Sequence, residues 1–205
     1  MKQLVIIGAS GHGKVVADIA KRNGYEGIFF LDDNETLTEC GGYAVAGKCS
    51  LYKEFDCDVI VAIGNPEIRE TIQMQVEQSG KNVPVLIHPN ATVAEHVQIG
   101  KGTVVAAGAV INPGARIGTG CIINTASSVD HDCCISDFVH VSVGAHVAGT
   151  VSIGKRTWVG VGAAVSNNIT ICSDCIIGAG AVVVKNLIEA GTYIGVPARR
   201  IEYKE

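Results

Sequence analysis

The chain has 205 residues, with 16 lysines and arginines against 20 aspartates and glutamates and a formal net charge of -4. That length accommodates one domain or two small ones, and the acidic balance argues against a nucleic-acid surface, which requires a basic field. No run of 18 apolar residues is present, so no membrane insertion is expected. The opening MKQLVIIGASGHGK breaks at Gly8 and Gly11 without a small-residue cleavage pattern, which argues against a secretory signal and places the protein in the cytoplasm. Its eight cysteines are then expected to be reduced and to pack as small apolar residues.

Residues 3 to 85 alternate short β-branched runs with helical stretches: LVIIG, KVVADIAKRNG, GIFFLDD, CDVIVAIGN, PEIRETIQMQVEQSG and VPVLI. This order predicts a small parallel α/β unit, a Rossmann-like subdomain over residues 1–85. Asn65 followed by Pro66 predicts a helix start, and Gly80 its end. The turn GASGHGK matches neither of two phosphate-loop patterns. Gly8, Gly13 and Lys14 fit the beginning of G-x-x-x-x-G-K-[ST], but Val15 stands where a magnesium-binding hydroxyl is required, and the glycines run G-x-x-G-x-G rather than G-x-G-x-x-G. What remains is a glycine-rich strand-to-helix turn whose N–H groups and helix dipole suit a phosphate or pyrophosphate. Asp32 or Asp33, after the second strand, is a candidate acceptor for a ribose or base.

From about Leu86 the rhythm changes. Stepping by six from Ile87 to Val183, every residue is Ile or Val, and the residue four places later is usually small, as at Ala109, Cys121, Ser127, Ala145 and Ala181. Strand side chains alternate faces, so both positions point inward. A period this short and regular predicts an all-β parallel β-helix over residues 86–205. The repeat resembles the hexapeptide-repeat family, and that resemblance implies a left-handed coil with three hexads, 18 residues, per turn. On such a coil His131 lies one turn from Gly149, Val161 stacks with Ala179, and His140 faces outward upon Trp158. His146 also faces outward. Within the C-x-x-C of Cys172 and Cys175 the repeat sends one residue outward and the other inward, which weakens its reading as a thiol pair.

GASGHG at 8–13, LDD at 31–33, AIGN at 62–65, NTASSVDHD at 124–132, HVSVGAHVAG at 140–149 and GVPARR at 195–200 together resemble one branch of that family. It comprises the bacillosamine-pathway N-acetyltransferases and the sialic-acid O-acetyltransferases. The resemblance implies an acetyl-CoA-dependent acetyltransferase acting on the 4-amino group of a UDP-linked amino sugar, in glycan or surface-polysaccharide synthesis. It also implies a homotrimer with active sites between adjacent subunits, and no metal.

The same resemblance makes His131 the general base. An amine attacks a thioester only after losing its proton, and imidazole titrates near working pH. Asp132 would orient the ring; relatives usually carry Glu at this position, so the shorter Asp leaves Asp130 as a rival. Gly149 matches a glycine whose N–H meets the thioester oxygen. His140 matches a donor-binding position, Val161 and Ala179 the pantetheine path, and the loop at Pro197 the CoA site, with Arg199 or Arg200 available to a CoA phosphate. Ser10, Gly11, His12, Asp32, Asp33, Gly64 and Asn124 are the acceptor-binding positions. Four other readings stay open: a sialic-acid O-acetyltransferase, a dTDP-amino-sugar N-acetyltransferase, a zinc carbonic-anhydrase-like protein using His140 and His146, and a non-catalytic scaffold.

Overall fold

A computed structural model describes residues 2–201, and the chain divides after Pro89 into two compact units. In the first, β1 (Gln3–Ile7), α1 (Gly11–Arg22), β2 (Gly27–Leu31), the hairpin strands β3 (Glu39–Cys40) and β4 (Tyr43–Ala44), β5 (Asp58–Val61) and α2 (Pro66–Gln78) follow in order. β1 lies at the centre of a three-stranded parallel sheet, between β2 and β5. Its core holds Val5, Ile7, Leu31, Val59, Val61 and Val76. α2 starts at the expected proline, with the Asn65 side chain accepting from the Ile68 N–H at 3.0 Å, which satisfies one of the otherwise unpaired first-turn donors. Sequence reasoning missed the β3–β4 hairpin and the short 3-10 helix Cys49–Glu54. Both are too short to show a hydrophobic period.

Gly13 is a small residue by necessity. A Cβ there would strike the Gly8 carbonyl and lie 2.9 Å from Phe30 Cε1, so the glycine lets α1 close onto the end of β1. Gly8 itself has φ of 108°, a region that favours glycine.

The second unit is a parallel β-helix of two-residue strands. One face runs from Thr92–Val93 through Ser128–Val129 and His146–Val147 to Val182–Val183. A second runs from Gln98–Ile99 to Thr170–Ile171, and a third includes Ile122–Ile123, His140–Val141, Trp158–Val159 and Cys175–Ile177. Partners are 18 residues apart, as in Ser128 with His146 and His140 with Trp158. The inward small residues are buried with the aliphatics: Ala109, Cys121, Ala145, Ala163 and Ala181 have no exposed surface.

The corners have their own period. Every sixth residue from His96 to Gly180 has φ between 55° and 77°, whether it is glycine, Asp132, Thr150 or Arg156. The chain turns each corner through the left-handed region, where Gly, Asn and Asp are tolerated best and β-branched residues least.

Candidate active site

His131 and Asp132 occupy the corner between the strands Ser128–Val129 and Cys134–Ile135. Asp132 is the left-handed residue of that corner, with φ of 57°, and its N–H donates to the Pro113 carbonyl one coil earlier at 3.1 Å. The reversal brings two consecutive side chains together: His131 Nδ1 lies 2.9 Å from Asp132 Oδ2. Asp132 therefore reaches the imidazole despite its short side chain. Asp130 is engaged elsewhere, accepting from Asn112 Nδ2 and from the His131 backbone N–H, both at 2.7 Å. The Asn112 hydrogen bond is the main reason its carboxyl is held below the usual value.

With Nδ1–H donating to Asp132, Nε2 carries the imidazole lone pair. That nitrogen faces Gly149: of the atoms a Cβ at Gly149 would meet, His131 Nε2 is the nearest, with Cε1 at 2.7 Å and Cδ2 at 3.0 Å. The Thr150 N–H donates to the His131 carbonyl at 2.9 Å, locking the two coils in register. The hydrogen bond to Asp132 raises the His131 pKa above the ordinary 6.5; the charges of Asp130 and Asp132 add to the rise. The ring is open to solvent, with 58% of the side chain accessible.

A second cluster lies at another corner, between the third and first faces. Trp158, Gly160, Val161, Ile176, Gly178 and Ala179 line an apolar cavity of about 310 Å³. Val161 and Ile176 are 55% and 50% exposed. The Trp158 indole stacks on His140, with ring centroids 5.1 Å apart and planes at 24°, and its Nε1–H donates to Ser142 Oγ. Asn124 fixes the histidine's tautomer. Its Oδ1 accepts from the Thr125 N–H at 2.8 Å, so its Nδ2 donates to His140 Nε2 at 3.0 Å, leaving the ring proton on Nδ1. Asn124 and His140 thus meet as neighbours of the apolar cavity, and within one chain they belong to a different corner from His131. The stacking of His140 on Trp158 is the one the 18-residue step anticipates; Ser142 and Ile176 were missed by the sequence reading, although Ile176 lies 18 residues beyond Trp158 on the same face. His146 faces the first sheet face and meets Ser128 Oγ at 2.9 Å, so it does not converge with His140.

Pro197 follows a cis peptide bond, and Arg199 lies exposed on the strand Arg199–Arg200, its Nη1 donating to the Ala198 carbonyl at 3.0 Å. Arg200 is paired with Glu189 at 3.0 Å.

In the first unit Ser10 is the N-cap of α1, with no hydrogen bond from its side chain to the helix, and Gly11 and His12 begin the helix. His12 is half-buried, with its Nε2 sealed from solvent and without a hydrogen-bond partner among the described residues. Burial first, and the Arg69 cation second, lower its pKa to about 4. Arg69, on α2, is itself buried and donates through Nη1 to the carbonyls of Ile63 and Gly64 at 2.7 and 2.8 Å. Asp32 is committed to the turn: one oxygen accepts from the Ala9 N–H at 2.8 Å and the other from Asn34 at 2.9 Å. Asp33 accepts from the Cys49 N–H through a single oxygen at 2.9 Å. Asp32, Asn34, Thr38, Gly47, Lys48 and Ser50 border a cavity of about 490 Å³.

Among the described residues no group of three or more His, Cys, Asp or Glu is placed to hold a metal ion, and no helix is long and apolar enough to cross a membrane. The expectation for Cys172 and Cys175 needs correction. Cys175 is buried and Cys172 half-buried, as inward and outward positions should be, yet their sulfurs are 3.5 Å apart. The corner turn between them brings the two faces together.

Comparison with known proteins matches residues 3–76 to the PglD N-terminal domain and residues 84–113 to the bacterial transferase hexapeptide (six repeats). The chain is 37% identical over 113 residues to the UDP-N-acetylbacillosamine N-acetyltransferase of Bacillus subtilis (strain 168), and this match spans 52% of each protein, about half the length of that relative. Two solved structures align over nearly the whole chain. The acetyltransferase domain of PglB from Neisseria gonorrhoeae FA1090, in complex with acetyl coenzyme A, is 42% identical with a TM-score of 0.95, covering 98% of this chain and 99% of that one. PerB from Caulobacter crescentus, in complex with CoA and GDP-perosamine, is 35% identical with a TM-score of 0.92 and 98% coverage of both. Matched in both units and along nearly its full length, the chain belongs to the bacterial hexapeptide-repeat acetyltransferases that carry a PglD N-terminal domain.

Proposed function

We propose that this protein transfers an acetyl group from acetyl-CoA to the 4-amino group of a UDP-linked amino sugar. The observation that carries the reading is the His131 corner: an imidazole oriented through Nδ1 by Asp132, with its basic Nε2 against a glycine one coil away. In this reading Nε2 removes the proton from the attacking amine as nitrogen bonds to the thioester carbon. The Gly149 N–H receives the developing oxyanion. Collapse breaks the C–S bond, and the imidazolium returns its proton to the departing thiolate of CoA.

The apolar cavity of Trp158, Val161, Ile176 and Ala179 suits the pantetheine arm, with His140 and Asn124 beside it and Pro197 and Arg199 toward the CoA phosphates. That cavity and His131 lie on different corners of one chain. A homotrimer resolves this separation, because the donor groove of one subunit then meets the base of its neighbour; the half-exposed Val161 and Ile176 support such burial. Both solved relatives bind CoA or its acetyl ester.

For the acceptor, the turn Ser10–Gly11–His12 and Gly64 would hold the diphosphate at the α1 N-terminus. His12, kept neutral by burial and by Arg69, can donate a hydrogen bond without adding a charge. Asp33 is better placed than Asp32 to accept from the ribose or base, since both Asp32 oxygens already serve the turn. The Bacillus relative is named for a UDP-sugar and the Caulobacter protein was solved with a GDP-sugar, so the base is a direct question. The test is CoA release with UDP-, GDP- and dTDP-linked 4-amino sugars and with sialic acid. Activity confined to sialic acid would overturn the amino-sugar reading. His131→Ala should lose 10²–10⁴-fold in kcat, and retention within about threefold would remove the base from that position.

A further inference from the structure

The donor groove, the His131 corner and the α1 turn are absorbed by the reading above; the thiols of Cys172 and Cys175 are not. They flank a corner turn at Ser173–Asp174, where Asp174 has φ of 61°. The ends of such a four-residue turn have Cα atoms less than ~7 Å apart, and disulfides span Cα separations of roughly 4.4–6.8 Å. The side chains use that proximity: Sγ meets Sγ at 3.5 Å, with both cysteines free. No other corner combines these residues. Cys121 and Cys133 occupy the same inward position as Cys175, but the residues three before them are Gly118 and Asp130.

We propose that Cys172 and Cys175 form an oxidisable dithiol, closing to an intramolecular disulfide when the folded chain meets a peroxide. The two sulfurs are unequal. Burial, and then the neighbouring Cys172, push the Cys175 thiol up to about 12, so the half-buried Cys172 is the one that meets oxidant. Its thiol gives up a proton, the thiolate attacks a peroxide oxygen, the O–O bond breaks to leave the sulfenic acid, and the departing hydroxide takes up that proton as water. The Cys175 sulfur then displaces the sulfenic oxygen. An S–S bond forms, the S–O bond breaks, and the thiol proton leaves with hydroxide as a second water. Both cysteines are oxidised by one electron each, and hydrogen peroxide supplies the two-electron oxidant. Closure needs the sulfurs to approach from 3.5 Å to about 2.05 Å, a movement within the reach of χ1 adjustments at the two ends of a turn.

Trypsin makes the test clean, because the peptide from Thr157 to Lys185 contains these two cysteines and no other. The folded protein is exposed to hydrogen peroxide, unfolded in iodoacetamide, digested and weighed. The expected product is this peptide lighter by two hydrogens, unalkylated, and alkylated twice after dithiothreitol. Cys172→Ser should abolish the loss of two hydrogens, and so should Cys175→Ser; a far-UV circular dichroism spectrum matching wild type confirms that each variant is folded. Exposed Cys134 is the internal standard. Recovery of the Thr157–Lys185 peptide with two alkylated thiols, at a peroxide dose that oxidises Cys134, would overturn the proposal. So would a two-hydrogen loss that persists in either serine variant.

Discussion

Replacing Gly149 by alanine separates the chemistry of the His131 corner from its architecture. The Gly149 backbone requires no positive φ, and the three atoms nearest the added methyl all belong to the His131 ring, with Cε1 at 2.7 Å, Cδ2 at 3.0 Å and Nε2 nearer still. An ordinary contact begins at 3.4 Å, so the ring must retreat by about 1 Å. It is free to do so, since most of that side chain is exposed. The fold should therefore tolerate the change, with Tm moving by less than about 3 °C, under 1 kcal/mol for a chain of this size. The 2.9 Å link to Asp132 and the aim of Nε2 should not survive it. A 1 Å misplacement of a catalytic group costs on the order of 10²-fold, about 2.7 kcal/mol of barrier. The assay is the initial rate of CoA thiol release at saturating donor, beside a thermal melt. Gly154→Ala is the contrasting variant: its methyl would sit 2.6 Å from the Cys172 carbonyl carbon and 2.8 Å from Ser173 Cα, backbone that cannot swing away. That variant should lose stability before it loses chemistry. If Gly149→Ala keeps a rate within about threefold of wild type, the imidazole does not work from where the structure holds it.

Three further outcomes are expected. The acid limb of kcat/KM should fall below a pKa higher than 6.5, because the hydrogen bond to Asp132 raises the histidine and only its neutral form accepts a proton; Asp132→Asn should move that limb to lower pH while lowering the plateau, and an unmoved limb would refute the pairing. Mixing His131→Ala chains with Val161→Glu chains, after joint unfolding and refolding, should restore activity to about a quarter of the wild-type sites, the random share in which an intact base faces an intact groove across a trimer interface; no recovery would refute sites shared between subunits. Because the folded-state pKa of His12 is depressed to about 4, neutral His12 favours the fold fully above 6.5 and that contribution is lost as pH falls from 6.5 toward 4. The loss amounts to about 3 kcal/mol by linkage. Denaturant melts of the wild type should steepen in pH dependence over that window relative to His12→Gln, and parallel curves would show that His12 takes up its proton as readily folded as unfolded.

Much of this protein could be read along the chain because its main regularities are periodic. The unbroken step of Ile and Val from Ile87 to Val183 determined the solenoid, since a strand that alternates faces and a coil that returns every 18 residues leave each side chain one address. The same step placed His131 beside Gly149 and Val161 beside Ala179, and the order of apolar runs in the first 85 residues gave the α/β unit. Aperiodic features belonged to the tertiary structure. Which acid holds the imidazole depended on the left-handed corner at Asp132 and on Asn112, 18 residues away from Asp130. The assignment of Asp32 to the glycine turn, the burial of His12 against Arg69, and the meeting of the Cys172 and Cys175 sulfurs likewise came from contacts across turns and helices. Side-chain facing is a local property of the repeat, whereas the partner of a polar atom is decided by where the backbone turns and what the next coil or helix offers there.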